Sequence, residues 1–395
     1  MRDELLKNAL KYPRFAGPPK ILVLDTGYFV VRDVLEAAAD LGWEAVALRT
    51  KAEGMAKGGF VADLLKALVL HRPDFVLTMN HLGFDEKGLL AGLLGRYEVP
   101  LASWFVDHPM PILGGANANA TPYCQVFCFE RTALPWLERQ GYTAPAYLPT
   151  GSNRRHFHPS AVDHAACREL RWPLTFAGNS WWLKAREGSP SWVRKLARDF
   201  RCRFEVNRHA LTNGFEDHLT EFSSIPDRSR YAVAQVALAE ASMLTRKRFA
   251  KALMPEGLRV FGDEHWRRLV PGVDLRRFVS YGGMLSALFA GSAVNANVTA
   301  EQMPSAVNQR VWDVPASGGF LLTDAQGDVL ELFEDGVDVA VYRDFTELTD
   351  KARHYLKHPA EREAIAGAGF EKVDREHRVT HRLERMREVM RQRFA

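Results

Sequence analysis

Trp104-Phe105-Val106-Asp107-His108-Pro109 brings a carboxylate and an imidazole to a proline-stiffened loop at the end of an apolar run. Such a pair suits proton transfer, because making a hydroxyl nucleophilic needs a partly buried base within hydrogen-bond reach. Asp107 and His108 are therefore the first catalytic candidates, and His81, which follows the run 76–79, is the next. The competing reading is an Asp that caps its loop beside a solvated His. A second constellation, Asn308, Arg310 and Asp313, precedes the small-residue turn Ser317-Gly318. Three residues apart, Arg310 and Asp313 share a helical face, and Pro315 ends that helix soon afterwards. A carboxylate can accept a hydrogen bond on each oxygen, which fits two adjacent hydroxyls. A surface ion pair between Arg310 and Asp313 is the structural alternative. Met303-Pro304-Ser305 reads as the helix start, whose free amides and partial positive charge would favour an anion.

These residues need elements to hold them, and the hydrophobic pattern supplies a repeating set. Strand-like runs at 20–25, 44–48, 74–79, 101–106, 125–129 and 146–148 alternate with helical periodicity at 30–41, 60–70, 87–96 and 134–140. That alternation predicts a doubly wound α/β domain with a mostly parallel sheet. Pro149-Thr150-Gly151-Ser152-Asn153 and the basic, His-rich stretch after it break the pattern. It restarts with strands expected at 174–177, 258–261, 278–281, 292–297 and 320–322, and a largely helical insert around 216–254. The expected organisation is a first Rossmann-like domain over 1–153, a linker over 154–172, a second Rossmann-like domain over 173–360 and a helical tail over 361–395.

In open α/β sheets ligands bind outside the C-terminal strand ends. This singles out Gly262, Tyr281, Asn297 and Thr299, each of which ends or follows an expected strand.

The stretch from Asn308-Gln309-Arg310-Val311-Trp312-Asp313 through Ser317-Gly318-Gly319-Phe320-Leu321-Leu322-Thr323-Asp324 resembles the nucleotide-binding end of CgeB-like glycosyltransferases, relatives of the group-1 family. The likeness continues through Glu331-Leu332-Phe333, Glu347-Leu348, Tyr355-Leu356, His358-Pro359, Glu361-Arg362-Glu363 and Glu376-His377. It implies the GT-B fold, two Rossmann-like domains facing across a cleft, the first on the acceptor side and the second binding a nucleotide sugar. It implies transfer of a sugar, of hexosyltransferase type, from a nucleoside diphosphate to a cell-envelope, surface-glycan, lipid-linked or protein acceptor. No metal and no cofactor beyond the sugar nucleotide is implied. Asp313 takes the place of the second glutamate of the family's paired-glutamate motif, which contacts ribose. The first glutamate falls at Ser305, which supplies no carboxylate. Gly178 and Asn179 match the loop where backbone approaches the diphosphate, Lys184 and Arg186 stand where a following cation helps neutralise it, with solvated surface charges as the alternative, and Asn297 and Thr299 match a strand-end pattern. A nucleotide-sugar epimerase and a non-catalytic binding module of the same fold are the alternatives.

At 395 residues the chain fits two domains, and 47% hydrophobic with 25% charged residues is an ordinary globular composition. The formal charge of +4 is mild, and without basic-aromatic interleaving it argues against nucleic acid. Cys124, Cys128, Cys167 and Cys202 are too scattered for a disulfide framework and are expected to be reduced; Cys124 and Cys128, which flank a strand-like run, lack zinc-site spacing and are expected to be buried thiols. No apolar run approaches a membrane span, and residues 1–15 lack a signal-peptide core. The expected address is the cytoplasm, with peripheral contact at the inner membrane face left open.

Overall fold

The computed structural model describes residues 2–50, 58–115, 117–204 and 227–395. The chain divides into two compact units, one formed by Met1–Thr150 with Val379–Ala395, the other by Gly151–Arg378.

The first unit is built on β1 (Lys20–Asp25), β2 (Glu44–Arg49), β3 (Phe75–Met79), β4 (Leu101–Phe105), β5 (Cys124–Cys128) and β6 (Ala146–Tyr147). All pairings are parallel, in the order β2-β1-β3-β4-β5-β6. Strands β3, β4 and β5 are buried at every residue, the pattern of a parallel sheet covered on both faces. Cys124 and Cys128 are free and buried, and burial pushes the Cys124 thiol up to about 12.

The second unit repeats the plan with β7 (Leu174–Ala177), β8 (Arg259–Phe261), β9 (Asp274–Arg276), β10 (Val294–Ala296), β11 (Leu321–Asp324) and β12 (Ala340–Tyr342), all parallel, in the order β12-β11-β10-β7-β8-β9. Two details differ from the pattern reading. The strand expected at 278–281 lies earlier, at β9, where Asp274, Leu275 and Arg276 pair with β8. Strand β12, only three residues long and set in a charged stretch, gives too little periodicity to be read. The expected helical insert is one helix, Asp227–Leu253, and residues 216–226 lie outside the described ones.

The expected tail over 361–395 is shared between the units. Helix Pro359–Glu376 stays with the second, but Val379–Phe394 joins the first. Its Val379, Leu383, Met386 and Met390 bury in one cluster with Phe75, Trp104 and Phe127. Nor is its basic face simply solvated. Arg382 is buried and donates to the Thr150 carbonyl at 2.9 Å, and Arg393 reaches Gln125 Oε1 at 2.6 Å.

Candidate functional site

Each sheet has a point where the chain reverses its direction of growth, and there the connections after neighbouring strands part to leave a crevice. In the second unit that point falls between β7 and β10. Gly178 follows β7 and Asn297 follows β10, and Arg310 bridges them. Its Nε donates to Asn297 Oδ1 at 2.7 Å and its Nη2 to the Val298 carbonyl at 3.3 Å. A Cβ on Gly178 would lie 2.9 Å from the Phe176 ring and 3.2 Å from Arg310 Nη1. A Cβ on Gly262 would stand 2.4 Å from the Gly178 carbonyl oxygen, which is held instead by Trp266 Nε1 at 2.9 Å. Both glycines are there for close approach of backbone and side chain.

A second guanidinium enters the same place. Arg246, on the helix Asp227–Leu253, is buried and donates Nη1 to the Asn179 carbonyl. Among the described residues its Nε has no hydrogen-bond partner. Arg246 and Arg310 both stand over the Phe176 ring, at 5.5 and 5.1 Å, and Arg246 lies 5.6 Å from Trp181. Among the described residues neither arginine makes an ion pair, although the charges of Asp324 and Asp263 reach Arg246 and those of Asp324 and Asp313 reach Arg310. Burial pushes the Arg310 guanidinium down to about 10, still charged at neutral pH. Burial, then the neighbouring Arg310, pushes Arg246 well below its ordinary value. Two desolvated cations side by side, one short of a hydrogen-bond acceptor, make a site that favours an anion.

The surrounding side chains fix this pair. Asn308 caps the helix Gln309–Ala316, accepting from Arg310 N at 3.1 Å, and its Nδ2 donates to Asn297 Oδ1 and Thr299 Oγ1, each at 3.2 Å. Thr299 donates from N and Oγ1 to Asp324 Oδ1 at 3.0 and 2.9 Å. The helix therefore starts at Gln309, not at Ser305, because the Asn308 amide both caps it and joins the Asn297–Thr299 network. Asp263 accepts from Ser180 N and Oγ at 2.6 and 2.7 Å. The next residue, Trp181, is held at φ +67°, a left-handed conformation uncommon for a bulky side chain and typical of sites that are over-determined by their surroundings.

Asp313 lies one turn along that helix and is buried, and it does not pair with Arg310. Its Oδ1 accepts from Ser152 Oγ at 2.8 Å and from Gln309 Nε2 at 3.1 Å. Gln309 Nε2 also reaches the Gly151 carbonyl at 2.9 Å and Tyr281 Oη at 3.5 Å, so Tyr281 joins this group.

Other expected residues lie apart. Arg186 pairs with the buried Glu240 at 2.9 Å, beside Arg201 at 3.3 Å, which commits it to the fold. Lys184 is exposed, with Nζ 4.7 Å from the Trp181 ring, at the rim of the anion site. Ser317 Oγ bonds the Asp313 carbonyl and Ser286 Oγ. Gly318 lines a cavity of about 570 Å³ with Trp172, Ala293 and Phe320, at the N-terminal ends of β7, β10 and β11. The helix carries Ser317 and Gly318 away from the C-terminal strand ends, so neither joins the anion site.

In the first unit the reversal falls between β1 and β3. Asp107, beyond β4, accepts on Oδ2 from Tyr28 Oη, beyond β1, and from Asn80 Nδ2, beyond β3, each at 2.9 Å. Asn80 Oδ1 in turn accepts from Val106 N at 2.9 Å and Asp107 N at 3.2 Å. Burial and the Asp107 carboxylate raise the Tyr28 hydroxyl far above its ordinary value, so it stays a donor. His108 is not a solvated histidine. It is buried and caps the short helix Pro109–Leu113, its Nδ1 accepting from Met110 N at 3.3 Å, and burial lowers it to about 4 against the pull of Glu130. His81 is buried between Ser103 Oγ, on Nδ1, and Tyr142 Oη, 2.9 Å from Nε2, and burial lowers it to about 3. With both ring nitrogens engaged inside the unit, it has no geometry for a base.

Sequence reading missed Arg246, which sits among Lys247, Arg248 and Lys251 and looks like a solvated face. Its signal was helical spacing, since Met243, Arg246, Phe249, Ala250 and Leu253 form one buried stripe.

Residues 245–388 match the Glycosyl transferase-like family. This glycosyl transferase-like region holds Arg246, Asn308, Arg310, Asp313 and Asp324. No curated protein matches the chain. Among solved structures it is similar to HepE of Anabaena in complex with UDP-glucose, at 13% identity and a TM-score of 0.55, over 94% of this chain and 99% of that one. Sucrose-phosphate synthase from Thermosynechococcus elongatus follows at 12% and 0.52, over 95% and 98%. WaaG, a glycosyltransferase involved in lipopolysaccharide biosynthesis, stands at 12% and 0.50, over 92% and 98%. At such identities the likeness establishes the fold, which is GT-B as the resemblance implied. The relation to the group-1 glycosyltransferases is supported, and the narrower CgeB-like likeness rests on the sequence motifs.

Proposed function

We propose that this chain transfers a sugar from a nucleoside diphosphate to a hydroxyl acceptor on a cell-envelope or surface glycan, a lipid-linked glycan or a protein. The observation that carries the reading is the pair of Arg246, buried, and Arg310, half-buried, at the C-terminal strand ends without an ion-pair partner among the described residues. A leaving diphosphate gains negative charge as its bond to the sugar breaks, and desolvated, prepositioned cations stabilise that charge strongly. In this reading they supply what a metal ion supplies elsewhere. One turn further along the helix Gln309–Ala316, Asp313 receives the ribose hydroxyls, oriented by Ser152 and Gln309. In the first unit Asp107 takes the acceptor proton, with Tyr28 and Asn80 holding its carboxylate. HepE, similar in fold, was crystallised with UDP-glucose, which makes UDP the first nucleotide to try.

The test is a thermal-shift titration with UDP, ADP and GDP, followed by assay of nucleotide release from the matching sugar nucleotide. One of the three should raise the melting temperature of the wild-type chain, since a ligand that binds only the native state stabilises it. In Arg246→Met and Arg310→Met the affinity should fall by about tenfold or more, the loss of a charged hydrogen-bond partner. Unchanged affinity in both variants would place the nucleotide elsewhere and remove the proposal.

A further inference from the structure

The corner between helices Phe345–Lys357 and Pro359–Glu376 gathers three donor groups that the proposed reaction does not use. His354 and His358 are one helical turn apart, and Glu361 lies in the first turn of the next helix. All three are exposed, and one ligand atom of each lies within 4.8 Å of the other two. His354 Nε2 stands 2.7 Å from Glu361 Oε2, and the two imidazoles stack with centroids 4.0 Å apart and planes 19° from parallel.

A further contact decides the protonation of His358. Its Nδ1 lies 2.7 Å from the His354 carbonyl oxygen. A carbonyl only accepts, so Nδ1 carries the proton, and in the neutral ring Nε2 keeps a lone pair. This is the arrangement by which proteins orient a metal-binding histidine: the second ring nitrogen is tied to an oxygen, fixing tautomer and direction. Pro359, at the first position of the next helix, holds the corner that brings Glu361 back onto the two rings.

We propose that His354, His358 and Glu361 bind a divalent transition-metal ion of the zinc type. Two imidazoles and one carboxylate suit zinc, whereas magnesium and calcium prefer all-oxygen shells. When the metal takes His354 Nε2, the proton there passes to solvent and the ring binds as the neutral tautomer protonated on Nδ1, which leaves a fourth position to water. The site lies away from the reacting groups. Tyr355, next to His354, packs at 4.6 Å on Phe320, the residue before β11, so this corner is at the N-terminal strand ends and not where Gly178 and Asn297 stand. An ion here ties two helices together and plays no part in sugar transfer.

The experiment uses the full chain without an affinity tag, stripped of metal by a chelator and titrated with zinc by calorimetry. Cobalt serves as a coloured probe of the coordination shell. The expected result is one zinc per chain, visible cobalt bands of a low-coordinate site, a raised melting temperature and no comparable response to magnesium. His358→Ala and Glu361→Gln should each weaken zinc binding by about tenfold or more, and the double variant should abolish it. Because these side chains are exposed, both variants should fold, which circular dichroism checks. Absence of stoichiometric zinc binding, or binding equally strong in the double variant, overturns the proposal.

Discussion

Asp107 illustrates how one carboxylate is made into a candidate base by its neighbours. Tyr28 and Asn80 both donate to Oδ2 and fix its direction. Asp107→Asn should lower turnover by about 100-fold or more while leaving donor affinity nearly unchanged, as for a positioned general base. Steady-state kinetics beside a binding titration checks this, and turnover close to wild type would send the search for the base elsewhere. His81 leads to a prediction about stability. Its folded pKa of about 3, like that of about 4 for His108, lies below the ordinary 6.5, so the unfolded chain takes up protons first as pH falls. The stability tied to neutral His81 and His108 is therefore complete above about pH 6.5 and lost as pH falls through 4 towards 3. His81→Gln, which cannot titrate, should cost about 1 to 3 kcal/mol at pH 7.5 through imperfect contacts to Ser103 and Tyr142. It should also flatten the fall in melting temperature between pH 6.5 and 4. A parallel fall in both proteins would show that His81 does not drive the acid sensitivity.

At the scale of elements, the helix Gln309–Ala316 positions the site. Its cap, Asn308, satisfies the first turn and ties Asn297 and Thr299 to the start of the helix that carries Arg310. Asn308→Ala should cost about 1 to 2 kcal/mol in urea denaturation, from loss of the cap together with the buried amide bonds. Asn308→Ser, which retains an acceptor for the cap but cannot reach both partners, should recover only part of that. Full recovery in the serine variant would mean that the cap alone matters. Much of this element is legible in the sequence, since Asn308, Arg310 and Asp313 were singled out by type and spacing. Its start was not, because Pro304-Ser305 and Asn308 are both acceptable beginnings on local grounds. What decides between them is a hydrogen bond to Asn297, just beyond β10.

At the scale of the whole molecule, the chain returns at its end to the unit where it began. Val379, Leu383, Met386 and Met390 fill the core over Phe75, Trp104 and Phe127. Met386→Ala should destabilise the first unit by about 2 to 5 kcal/mol, the range for emptying such a core position. Limited proteolysis with mass spectrometry should then find cleavage within residues 1–150 before any within 151–378. Equal or reversed susceptibility would mean that the C-terminal helix is not part of the first unit's stability.

The alternation of short apolar runs with helical periodicity determined two parallel α/β units, because periods of two and of 3.6 residues are local properties that survive in a bare sequence. Composition determined an ordinary globular chain, and in agreement no described helix is long and apolar enough to cross a membrane. The residue types at strand ends determined most of the candidate site, since the C-terminal ends of a parallel sheet are where loops meet ligands. Tertiary structure decided which of those residues act together. Arg186 and Lys184 look alike as cations, yet one is committed to the buried Glu240 and the other is exposed. Arg246 looks solvated among its basic neighbours, yet the face it shares with Met243 and Phe249 takes it inside. His81 and Asp107 both follow strands, but one is enclosed by Ser103 and Tyr142 and the other is presented by Tyr28 and Asn80. The difference is desolvation and the identity of partners distant in sequence: helical spacing carries a trace of the first at Arg246, and near neighbours encode nothing of the second.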